Sequence, residues 1–443
     1  MINPLALPSQ VYTHSLRSAL LLVATFVSAA SAQTPAPAPA QPSKPAASST
    51  FSQDRLARLD TLLQQYVDDG RLPGAVALVL QDGKVVYERA FGWADKEAGR
   101  RMTTDTIFRI ASQTKALTSA AALALVEEGK LGLTDPVSRY IPAFAKTTVL
   151  VRKEGGATEI VPAKRQITIR DLLSHTAGIS YGTDAALAPL YEPKGLGPAA
   201  GYGWYTADKN EPICTTMETL ATLPFAAQPG EAWVYGYATD VLGCVIERAS
   251  GSKLDEFIRA RITAPLGMKD TYFYLPPAQR QRLAAVYASG EDGKAVRAPD
   301  GARGQGHYVE GPRVSLGGGF GLVSTARDYA RFLEMIRNAG ALDGVRILSP
   351  RSARLMTTNQ SGTLHSTQGM GYGYGFQTTD RFGANALESE GAYGWGGAYG
   401  SNYRVEPSSG TVLLLMIQLM PNSTGISSRF QTLVYQALLG SQK

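Results

Sequence analysis

Leu56, Leu59, Leu63 and Tyr66 recur every three or four positions, which is the spacing of one helix face. The pattern predicts a helix over residues 51–69, stopped by Gly70. The period then shortens. Ala75–Leu80 and Lys84–Tyr87 are strand-like runs on either side of Asp82-Gly83, a pair that tolerates the positive φ of a tight hairpin turn. Far downstream, 401–406 and 411–418 flank Pro407-Ser408-Ser409-Gly410 and predict a second hairpin, followed by a last helix over about 427–439. Between Ile107 and Leu348 the pattern is mostly helical, with long Gly- and Pro-rich loops. Hairpins near both ends predict one antiparallel sheet built from the two termini and flanked by helices. The fold class is mixed α/β (α+β) with a mostly helical middle region.

The first 52 residues stand outside this pattern. Residues 1–32 carry Arg17, a short apolar run over 19–27 and the small-residue site Ala30-Ser31-Ala32. That arrangement reads as a secretory signal peptide, its apolar run short for a membrane span, with an uncleaved membrane anchor as the alternative. Residues 33–52 are rich in Pro, Ala and Ser and read as an extended linker. The expected location is therefore exported, periplasmic or extracellular, with no stable membrane insertion after cleavage. In such a compartment Cys214 and Cys244 can pair as a disulfide, with two buried thiols as the alternative.

Composition removes several function classes. A hydrophobic fraction of 44% with 18% charged residues excludes a globally disordered chain. The net charge of +6 is not gathered into a basic run, so no nucleic-acid partner is expected. Two cysteines and four scattered histidines, without a His-Glu-x-x-His pattern, offer no metal site. No metal or organic cofactor is expected, and nothing in the pattern specifies an oligomeric state.

Two serines compete as nucleophile. Gly178-Ile179-Ser180-Tyr181-Gly182 has the Gly-x-Ser-x-Gly form, but that motif works on a sharp strand-to-helix turn. Here residues 167–175 read as a helix before it, with loop after it, so a Gly-bounded turn is the simpler reading. Ser112-Gln113-Thr114-Lys115 fits better. A hydroxyl needs a base to become a nucleophile, and residues three apart share a helix face. The segment 116–126 is apolar nearly all round, so it would hold Lys115 in a dry core where amine chemistry is readily tuned. At a helix start, Ser112 would present a free N–H to a developing oxyanion. An ordinary N-capping serine is the competing reading. The second copy, Ser250-Gly251-Ser252-Lys253, carries the glycine of a helix end.

The segment Ile107–Lys115, together with Pro73-Gly74-Ala75-Val76, Ile167–Gly178 and Gly319–Asp328, resembles the serine β-lactamase and penicillin-binding-protein superfamily. The nearest likeness is to class C β-lactamase-like hydrolases, including the family VIII carboxylesterases. The resemblance implies a β-lactamase/transpeptidase-like serine hydrolase domain over 53–443. Tyr235, in Pro229–Tyr237, matches the family's Tyr-x-Asn tyrosine. Tyr237 stands where β-lactamases carry Asn, and is the second candidate if the register slips. A phenol beside Lys115 would share the Ser112 proton and later protonate the leaving oxygen. Trp395-Gly396-Gly397 is similar to the Trp-x-Gly variant of the β-lactamase Lys-Thr-Gly element. By that position the N–H of Ala398 would join that of Ser112 in the oxyanion hole.

Trp395 removes a cation that would bind a β-lactam carboxylate and supplies an apolar wall. The resemblance therefore implies an acyl-enzyme esterase acting on a small-molecule ester. A class C-type β-lactamase, or a D-Ala-D-Ala carboxypeptidase or D-aminopeptidase acting on peptidoglycan-related amides, is the alternative. A non-catalytic binder of cell-wall fragments is a third reading. His175 is expected in a structural turn. Tyr181, with Tyr191 and the aromatic loop 201–205, is a candidate lining of the substrate pocket, alongside Trp395, Gly396, Gly397 and Tyr237.

Overall fold

The computed structural model describes residues 50–197, 208–301 and 304–440. The expected signal peptide, most of the linker and the aromatic loop 201–205 lie outside the described residues.

The 51–69 helix forms with one break. Ser52 caps Gln53–Leu56, and after Ala57 the helix α1 runs Arg58–Asp68. Phe51 and Ser52, expected in the linker, belong to the folded chain. Phe51 is buried and bridges Leu438, because an exposed phenyl beside an apolar helix gains by burial. Asp82 and Gly83 take the positive φ values +48° and +76°. They turn β1 (Gly74–Gln81) into β2 (Lys84–Asp95). A short β3 (Arg100–Arg101) ends that edge.

The nucleophile candidate opens α2 (Thr114–Glu127). Shorter helices follow at α3 (Ile169–Leu173), α4 (Ile213–Leu220), α5 (Ala238–Ser250) and α6 (Ala326–Arg337). The chain then returns to the sheet through β4 (Met370–Tyr372), β5 (Gln377–Thr379), β6 (Tyr393–Gly396), β7 (Asn402–Glu406) and β8 (Thr411–Met416). It finishes in α7 (Ile426–Ala437).

The sheet order is β4-β5-β6-β7-β8-β1-β2-β3. The first and last hairpins therefore meet at the centre, where β1 and β8 run antiparallel. Their register sorts the side chains into two layers. Ala77 opposite Leu415 and Val79 opposite Leu413 join the core under α1 and α7, with Leu59, Leu63, Phe430 and Val434. Val76 opposite Met416 and Leu78 opposite Leu414 join the larger core that contains α2 and α5. A strand covered on both faces must be apolar at every position. That is why residues 75–80 read as a continuous run.

Cys214 on α4 and Cys244 on α5 form a disulfide across a sequence separation of 30. Both residues are buried. Closing a loop of that length restricts the unfolded chain by about 3–4 kcal/mol. A Cys214→Ser, Cys244→Ser double variant is expected to lose about 2–4 kcal/mol. Urea unfolding should show it as a lower midpoint, with a steeper slope because the uncrosslinked unfolded chain exposes more surface.

Candidate active site

Ser112 lies in the single 3₁₀ turn Ala111–Gln113 that leads into α2. The turn is entered through Ala111 at φ +44°. A side chain beyond glycine is rarely found there, and such positions persist only when the surroundings hold them. The helix behind is buried from Thr114 to Leu125, as its all-round apolar pattern predicts. Ser112 itself is half-buried. The Ser-x-x-Lys spacing does its expected work: Lys115 sits one turn later, fully buried, with Nζ 3.5 Å from Ser112 Oγ. This is a long contact, of the kind that tightens when substrate binds. Nζ also donates to the carbonyl of Gly319 at 2.7 Å and to the hydroxyl of Tyr181 at 2.9 Å.

Tyr235 presents its ring to Lys115, with Nζ 4.6 Å from the ring centroid, a favourable cation–π distance. Its hydroxyl accepts a hydrogen bond from Trp395 Nε1 at 3.0 Å. Trp395 lies one residue before the end of β6 and is half-buried beside the site. Trp233 stacks on Tyr235 from the other side, with ring centroids 5.7 Å apart.

Gly396 pairs with Asn402, and the chain then turns. Gly397 N–H donates to Ser401 O, and Gly400 N–H donates to Gly397 O. Ala398 therefore sits in a turn at the strand's end. Gly397 is required there, because a Cβ would fall 2.5 Å from the carbonyl oxygen of Ile110. That close approach brings the turn against the Ile110–Ser112 segment. The backbone N–H groups of Ser112 and Ala398 have no hydrogen-bond partner among the described residues.

Two residues expected to line the pocket are buried. Tyr237 is fully buried, and its hydroxyl accepts the N–H of Gly197 at 3.0 Å. Placed at the start of α5, it is committed to the core and does not face an open pocket. Tyr181 is also buried, and its hydroxyl is spent on Lys115. It shapes the lysine's surroundings where a pocket wall was expected. Ser180 occupies a loop turn after α3, and its Oγ accepts the N–H of Gly182 at 3.0 Å. No strand-to-helix turn exposes it. The second Ser-x-x-Lys copy ends α5, where Gly251 takes φ +72°.

His175 is buried at φ +56° and packs on Tyr235 at 4.8 Å between ring centroids. Burial, reinforced by the Lys115 and His365 charges, holds its pKa well below the usual imidazole range. It is a neutral packing residue that supports the Tyr235 ring.

One charged group escaped the sequence reading. Asp240, on the first turn of α5, is fully buried. Its Oδ1 accepts the N–H of Gly319 at 2.9 Å. Burial raises its carboxyl pKa to about 6, against the pull of Lys115 and the Gly319 N–H. The available signal was a carboxylate within the otherwise apolar run 238–246, since isolated charges are rarely buried without a partner.

Comparison with known proteins agrees with this geometry. The family model described as Beta-lactamase matches residues 59–435. The chain is similar to Esterase EstB of Burkholderia gladioli, with 35% identity over 387 residues that cover 84% of this chain and 92% of EstB. It is similar to Lovastatin esterase of Penicillium rubens, with 32% identity over 299 residues, 64% of this chain and 69% of that protein. Among solved structures it is similar to EstCE1, described as a hydrolase with promiscuous acyltransferase activity. The TM-score is 0.73 at 28% identity, covering 88% of this chain and 99% of EstCE1. The chain belongs to the beta-lactamase family and is a serine hydrolase of the carboxylesterase and β-lactamase type.

Proposed function

We propose that this is an exported esterase that cleaves short-chain carboxylic esters through an acyl-enzyme on Ser112. The observation that carries the reading is the meeting of Ser112 Oγ with the buried Nζ of Lys115, beside two unpartnered backbone N–H groups. Oγ attacks the ester carbonyl while Lys115 and Tyr235 share its proton. The N–H groups of Ser112 and Ala398 receive the developing oxyanion. Tyr235 then protonates the departing alkoxide, and water or an alcohol releases the acyl group.

Trp395 supports an ester over a β-lactam. Its indole Nε1 is occupied by Tyr235, and its ring offers an apolar wall in place of a cation. The names of EstB and Lovastatin esterase point the same way. Export rests on residues 1–32 and is supported by the Cys214–Cys244 disulfide, which suits an oxidising compartment.

The test compares turnover of p-nitrophenyl butyrate with that of a chromogenic cephalosporin, with mass mapping of a fluorophosphonate adduct. Ester turnover with the adduct on Ser112 is the expected result. Dominant cephalosporin turnover would replace the esterase with a β-lactamase. Labelling on Ser180, or none on the folded chain, would remove the mechanism.

A further inference from the structure

We infer that Asp240 is a positioning residue for the serine chemistry: its buried carboxylate, acting through Gly319, steadies the ammonium that Lys115 becomes when it takes the Ser112 proton. The inference rests on the acyl-enzyme reading above.

The geometry is a short relay. Asp240 Oδ1 holds the Gly319 N–H at 2.9 Å, and the carbonyl of the same Gly319 holds Lys115 Nζ at 2.7 Å. Asp240 and Lys115 are both fully buried. Asp240 Oδ2 is buried without a hydrogen-bond partner. A Cβ on residue 319 would fall 2.5 Å from Oδ2, so glycine is needed for the carboxylate to close over this segment. Lys115 is a cation that acts on the Asp240 carboxyl, against the effect of burial. A buried carboxyl and a buried amine, with one residue bonded to both, make a coupled pair.

The chemistry follows from that coupling. As Oγ bonds to the carbonyl carbon, the carbonyl π pair moves to oxygen and the Oγ proton moves to Nζ. A positive charge then appears where no water can solvate it. A nearby carboxylate lowers the cost of that charge and favours the ammonium form. The other titratable groups facing Lys115 are Tyr181 and Tyr235, which offer hydroxyl and ring, and His175, which is held neutral. Asp240 is the carboxylate joined to Lys115 through Gly319, so it is the compensating group.

Asp240→Asn keeps the shape and the acceptor for Gly319 N–H while removing the charge. Asp240→Thr is the second variant, retaining a smaller acceptor. The readout is the rate of fluorophosphonate labelling of Ser112, and kcat/KM for p-nitrophenyl butyrate, from pH 4 to pH 9. The acid limb of both profiles is expected to move to lower pH by about one unit or more, with a reduced plateau. An acid limb that stays in place while thermal stability falls would make Asp240 a structural residue and overturn the inference. Failure of both variants to fold would overturn it as well, since the carboxylate would then be an anchor. Wild-type chain that leaves Ser112 unlabelled at every pH would instead strike the nucleophile assignment beneath both.

Discussion

A Lys115→Met variant is expected to acylate Ser112 at least about 10³-fold more slowly than wild type, the range a positioned base contributes. Methionine matches the length of the lysine stem, so the buried space that the stem occupies beside α2 stays filled. What disappears is Nζ, and with it the contacts to Ser112, Tyr181 and Gly319. Pre-steady-state release of p-nitrophenol would measure the step directly. Acylation within tenfold of wild type would remove Lys115 from the mechanism.

The same variant carries a pH signature in its stability. Asp240 titrates at about 6 in the fold, whereas an aspartate in the unfolded chain titrates near about 3.9. Between those values the folded state holds the extra proton. This group's contribution is therefore full below about pH 4 and is lost as pH rises through its folded value. Without Lys115 the buried carboxylate loses the amine whose protonated form offsets its charge, and its folded value rises further. Breaking such a pair by removing one partner costs about 3–5 kcal/mol when the survivor stays charged. The gap in Tm between wild type and Lys115→Met should thus widen from pH 5 to pH 8. A constant gap would mean that Asp240 does not sense Lys115.

Gly397→Ala is the second large effect. The new Cβ would stand 2.5 Å from the Ile110 carbonyl oxygen, which is backbone and cannot rotate away. The turn carrying Ala398 must move off the Ile110–Ser112 segment. An oxyanion donor displaced in this way loses about 10²–10³ in kcat. KM should change little, because the donor matters most once charge develops. The turn lies at the end of β6, away from the central pair β1 and β8, so the fold should hold. Steady-state kinetics with p-nitrophenyl butyrate, beside near-UV circular dichroism, tests this. An unchanged kcat would exclude Ala398 N–H from the oxyanion hole.

The elements legible in the sequence are those set by local rules. Two short apolar runs and a turn dipeptide wrote the first hairpin, and the Pro-Ser-Ser-Gly stretch wrote the last. The continuous apolar run at 75–80 announced a strand covered on both faces. Thr168 and Asp171 announced a capped helix, which forms with reciprocal bonds between them. Ser112 and Lys115 were legible because three residues of helix bring them together without help from the rest of the chain.

Other features depended on distant segments. Tyr181 and Tyr237 were both expected to line the pocket, yet one hydroxyl meets Lys115 and the other meets Gly197. Side-chain direction after a loop is decided by whichever element packs against it. Asp240 and Gly319 lie 79 positions apart, and Gly319 lies 204 positions from Lys115. No periodicity links them. The sequence alone determined the class of fold, and it offered Ser112 with Lys115 as the candidate nucleophile and base and the export signal as an expectation. Only the tertiary structure decided which polar groups surround that lysine, because a buried charge takes its partners from wherever the packed chain brings them.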